Sequence, residues 1–109
     1  MDDTGPDALP ALDDARIAAM IGKVVLVGVT RYGGDGQVQD LQQYAGTVLR
    51  ISADEGVVLA DEGDGHEHYL PPMLDHYLAA APGEYRLLST GATVVDPDYL
   101  VTWDVHARQ

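Results

Sequence analysis

Four carboxylates and two histidines fall within the eight residues Asp61-Glu62-Gly63-Asp64-Gly65-His66-Glu67-His68. Histidines two apart on a strand project from one face, so His66 and His68, with Asp64 just upstream, form a candidate metal set. Imidazole with carboxylate suits zinc, nickel or copper, while oxygens alone suit calcium or magnesium. The spacing departs from the alternating oxygens and closing glutamate of an EF-hand loop, and it is not a helical His-Glu-x-x-His. The same residues also make a plain hairpin, because Asp-Gly pairs tolerate the backbone of a tight turn and leave their side chains in water. Both readings stay open on the sequence, and the hairpin is the simpler.

Other candidates for chemistry are weaker. His76 beside Asp75 suggests a general base, but sequence neighbours seldom face one another on an ordered element and no nucleophile accompanies them. Ser52 and Ser89 lack a Gly-x-Ser-x-Gly elbow. Gly33-Gly34-Asp35-Gly36 lacks the Lys-Ser/Thr of a phosphate loop and precedes a strand, so it reads as a hairpin turn. Lys23, the only lysine, opens a strand and is expected in solvent, where a Schiff-base role is unavailable. No catalytic residue is assigned, and the chain is expected not to be an enzyme.

Aromatic residues offer a different kind of site. Trp103 and Tyr99, with Tyr32, Tyr44, Tyr69, Tyr77 and Tyr85, would line a groove of the sort that takes peptides in small barrels. The competing expectation is that Trp103, in a chain with no Phe, fills the core.

Eighteen Asp and Glu stand against six Lys and Arg, for a net charge of −12. The bases are scattered singly, so no cationic patch arises to displace counterions from a nucleic acid. The same field repels anionic lipid and attracts basic partners. Beside the acidic turn, the candidate partner-binding residues are therefore Asp61, Glu62, Asp64, Tyr69 and Trp103. There is no cysteine, which excludes disulfides and thiolate sites and fits a reducing compartment. The acidic start Met1-Asp2-Asp3-Thr4-Gly5-Pro6-Asp7 does not resemble a secretory signal. The apolar run Val24 to Val27 is too short to span a bilayer. A soluble, cytoplasmic protein is expected.

These residues are positioned by elements whose periods are legible. Residues 1–8 read as a flexible acidic tail and 9–109 as a single β-rich domain. Leu12, Ala15, Ala19 and Met20 fall at helical spacing, predicting a short helix over Pro10 to Ile21 that Gly22 ends. Strands follow at Lys23 to Tyr32, Val38 to Ile51, Gly56 to Asp61 and His66 to Leu70. Gly46 falls where the long second strand loses its alternation, and a glycine there allows one strand to serve two faces of a small barrel. Pro71-Pro72 leads into a short helical or irregular connection over Met73 to Ala81, then strands at Glu84 to Ser89, Thr93 to Val95 and Tyr99 to Val105. The last of these places Tyr99, Val101, Trp103 and Val105 on one face. The fold class is mainly β, a small antiparallel barrel or roll of SH3-like or Sm-like size with a short N-terminal helix.

Ile21-Gly22-Lys23-Val24-Val25-Leu26-Val27-Gly28-Val29-Thr30, Leu70-Pro71-Pro72, Pro82-Gly83-Glu84-Tyr85-Arg86-Leu87, Ser89-Thr90-Gly91, Asp96-Pro97-Asp98-Tyr99 and Thr102-Trp103 together resemble a group of small uncharacterised bacterial proteins, acidic and β-rich, over residues 20–106. The resemblance implies a fold and carries no activity with it. In size and charge the chain is also similar to bacterial immunity proteins, which neutralise basic toxins. The expected function is a non-enzymatic acidic module that binds a basic protein, immunity-like or inhibitory, with no cofactor. The alternative is a divalent-metal or small-ligand protein built on Asp64, His66 and His68.

Overall fold

The computed structural model describes residues 12–106. The tail expected over residues 1–8 and the helix start expected at Pro10 lie outside them. Helix α1 spans Asp14–Met20. Asp13 takes the N-cap position, its side chain accepting from the Ala15 and Arg16 N–H groups, which satisfies donors that the first turn leaves free. Gly22, at φ +81°, turns the chain while the Lys23 N–H returns to the Met20 carbonyl at 3.0 Å. Ile17 and Met20 carry the helix onto the core.

Four strands then run as a meander: β1 Val24–Tyr32, β2 Val38–Ser52, β3 Gly56–Asp61 and β4 Glu67–Leu70. The first half of β2 pairs with β1, the second half with β3, and Gly46 and Thr47 pair with both. At that crossing a Cβ on residue 46 would stand 2.9 Å from the Ala60 carbonyl oxygen and 2.9 Å from Leu59 Cβ. Glycine is what allows β3 to approach. The register slips between Val48 and Arg50, a bulge that adds twist to the strand.

After Pro71-Pro72 come a 3₁₀ turn, Leu74–His76, and strands β5 Leu78–Ala79, β6 Glu84–Arg86, β7 Thr93–Val95 and β8 Tyr99–His106. The strand expected over Glu84 to Ser89 stops at Arg86, because the Leu87 N–H turns to the Ala92 carbonyl and the Gly91 N–H to that of Leu87. The main sheet has the order β4-β3-β2-β1-β8-β5, with β6 and β7 as a separate pair. The sheet is mixed rather than antiparallel, since β8 runs parallel to β1 from Val25↔Tyr99 to Tyr32↔His106. A parallel neighbour needs a long crossover, and the segment from β2 to β7 supplies it. β4 and β5, the ends of the sheet, do not pair with each other among the described residues.

Alternation along β1 divides the interior. Val25, Val27 and Val29 face a main core with Tyr44, Val48, Leu59, Tyr77 and Val101, while Val24 and Leu26 face a smaller cluster of Ala45, Leu87 and Val94 beneath the β6–β7 hairpin. Each buried Val or Leu contributes about 1.5–3 kcal/mol. The hairpin is also tied to β2 through Gln43, whose N–H donates to Ser89 Oγ at 3.0 Å and whose side-chain oxygen accepts the Leu88 N–H. No helix among the described residues is long and apolar enough to cross a membrane.

Candidate functional site: an aromatic groove between β4 and β8

The main-core face of β1 continues past the buried valines into the open. Register places Val29 between Gln42 of β2 and Trp103 of β8, and Arg31 between Asp40 and Val105. Val29, Arg31, Gln42, Trp103 and Val105, with Tyr44, line a groove of about 370 Å³, walled by His68, Tyr69, Leu70 and Pro71 from the end of β4. The flank of β4 that pairs with no strand among the described residues thus stands across the groove from β8.

Trp103 is half-buried and edge-on to the Tyr77 ring at 5.9 Å, with the His76 ring 5.2 Å away. Its indole N–H is shielded from solvent and has no hydrogen-bond partner among the described residues, a state that costs about 1–3 kcal/mol. His68 stacks on Tyr44 with centroids 3.9 Å apart, and its Nε2–H donates to Asp61 Oδ2 at 2.9 Å. Asp61 also accepts the Gly63 N–H at 2.7 Å. Burial alone would raise the Asp61 carboxyl, but the bonds from His68 and Gly63 outweigh it and hold that group below the usual carboxylate range. Burial, then the Asp61 charge, pushes the Tyr44 phenol up to about 12. The result is a polar strut, Asp61 to His68 to Tyr44, beneath a groove whose one exposed aromatic ring among the described residues is Tyr69.

The structure separates the sequence candidates. Tyr69 and Trp103 meet in the groove, Tyr69 being 56% exposed with its hydroxyl donating to Glu67. That contact, with Arg50, holds the Glu67 carboxyl below its ordinary value. Asp61 and Glu62 line a second cavity, of about 460 Å³, between β2 and the β6–β7 hairpin. His66 and His68 do come together, their rings 5.9 Å apart. Asp64 does not join them, because its Oδ1 accepts the His66 backbone N–H at 2.9 Å. Among the described residues no three His, Asp or Glu converge as ligands. Asp75 pairs with Arg16 at 2.8 Å, away from His76.

Of the aromatic residues expected to line a groove, only Tyr44, Tyr69 and Trp103 do so. Tyr77 and Tyr99 belong to the core, Tyr32 stacks on His106, and the Tyr85 hydroxyl bonds the Ala81 carbonyl. Sequence reasoning missed Arg31, Gln42 and Asp104 in the lining. Arg31 sits on the same strand face as Val29, and that parity was the available signal. Known protein families, curated proteins and solved structures were compared with the chain. None matches it.

Proposed function

We propose that this chain is a non-enzymatic protein-binding module for a basic partner, immunity-like or inhibitory in role. One observation carries the reading: a groove lined by Tyr44, Tyr69 and Trp103 opens on a molecule of net charge −12. Glu62 and Asp64 are exposed and steer a cationic surface inward, after which Tyr69 and Trp103 dock against its apolar part. Asp61 serves differently, holding His68 in place. The pairing of β2 with both β1 and β3 at Gly46 and Thr47 supports a small barrel of SH3-like or Sm-like size, and the lack of cysteine supports a reducing, cytoplasmic setting. Resemblance to small acidic bacterial proteins is compatible with this role.

The test is a pull-down from native lysate at low and high salt, using the chain and its Tyr69→Ala variant. A basic protein captured at low salt, lost at high salt and depleted by Tyr69→Ala is the expected result. Equal capture at both salts refutes steering, and capture indifferent to Tyr69→Ala moves the interface off the groove. The metal or small-ligand alternative rests on the His66 and His68 rings, 5.9 Å apart. Unchanged melting temperature in excess zinc and in excess calcium refutes its metal form.

A further inference from the structure

β5 covers only the first two residues of β8, at Leu78↔Leu100 and Ala79↔Tyr99. From Val101 to His106 the flank of β8 away from β1 carries no strand among the described residues. Leu100 lies opposite Leu78, and the Ala80 N–H bonds the Asp98 carbonyl, so the even-numbered residues turn their backbone groups toward β5. Alternation extends that phase to Thr102, Asp104 and His106. Among the described residues their outward N–H and C=O groups form an unpaired ladder beside the groove. Such an edge is a template for another strand.

We propose that this edge takes an extended, basic segment of the partner as an added strand, continuing the line of β5. The inference rests on the binding-module reading above and names its mode of recognition. Charge selects the occupant. A second copy would bring another net −12 and set two acidic surfaces together, whereas a cationic segment relieves that repulsion. Asp104 is exposed and has no ion-pair partner among the described residues, so a Lys or Arg opposite it is neutralised. Residues on either side of that Lys or Arg face the groove beside Trp103 and Val105, where apolar side chains fit. The recognised pattern is therefore apolar-basic-apolar, with main-chain bonds supplying affinity and Asp104 supplying register.

The test titrates the full chain with a synthetic peptide of alternating Val and Lys, read by emission of Trp103, the only tryptophan. Two N-methylated versions block alternate amides in opposite phases. Strand addition weakens one phase by about tenfold or more, the weight of one or two hydrogen bonds, and spares the other. It also slows amide exchange at Thr102, Asp104 and His106, and Asp104→Asn weakens the parent peptide. Equal binding of both phases, with no amide protection, overturns strand addition while leaving the module reading intact. No binding of the parent peptide at low salt overturns both.

Discussion

Replacing Gly46 with alanine tests the crossing of β2 most directly. The new methyl would stand 2.9 Å from both the Ala60 oxygen and Leu59 Cβ, against an ordinary contact of about 3.5–4 Å. Both obstacles sit on β3, and neither is the free end of a flexible side chain, so the strand itself must move. Overpacking of this kind costs about 1–3 kcal/mol. Alanine restores about 0.4–1 kcal/mol by restricting the unfolded chain, leaving a net loss of about 1–2 kcal/mol. For a domain of this length that lowers the melting temperature by about 4–8 °C. Gly28→Ala is the internal control, because its Cβ would meet only Thr102 Cγ2 at 3.5 Å. It should leave the melting temperature unchanged or raise it by about 2–4 °C. Thermal unfolding followed by circular dichroism, at one pH and salt, reads both. A Gly46→Ala protein as stable as its parent, or a Gly28→Ala protein destabilised equally, refutes the crossing argument.

The Asp61 carboxyl is held down by His68 and Gly63 against its burial. Its contribution is therefore present above the ordinary carboxylate value and is lost as pH falls through the lowered one. Asp61→Asn should lower the melting temperature at pH 6 and converge on the parent in acid; a gap constant down to pH 2 is the contrary result. At the alkaline end, the Tyr44 phenol is raised to about 12 by burial and then by Asp61. Its contribution is intact below the usual phenol value and disappears as pH rises toward 12. Tyr44→Phe should flatten that alkaline loss in a melting series, and an unaltered slope contradicts the assignment.

Local chemistry was legible in the sequence and long-range pairing was not. Gly56 to Asp61 emerges as β3 with the expected ends because β-branched residues lie between glycine-bearing turns. The Tyr99 to Val105 alternation also holds, with Val101 buried and Trp103 packed on the core. Helix α1 opens at Asp14 because Asp13 supplies the cap. The parallel union of β1 and β8 leaves no local trace, since both strands alternate as antiparallel ones would. In the site, Tyr69 and Trp103 were readable as aromatic residues, but their meeting depends on the path from β4 through the 3₁₀ turn. His68 was read with Asp64, whereas the hairpin's register carries it back to Asp61. Tyr44 reaches His68 only through the pairing of β2 with β3 and of β3 with β4.

The place of β8 at the side of β1 also governs how the molecule is made. β1 must wait for a partner that leaves the ribosome roughly seventy residues later, so closing that loop is among the slowest contacts to form. Until then the meander of β1 to β4 stands as a half-built sheet, with valine-rich β1 offering its free flank to any passing chain. Such intermediates aggregate readily. The net charge of −12 opposes that association, since nascent copies repel one another until the eighth strand arrives.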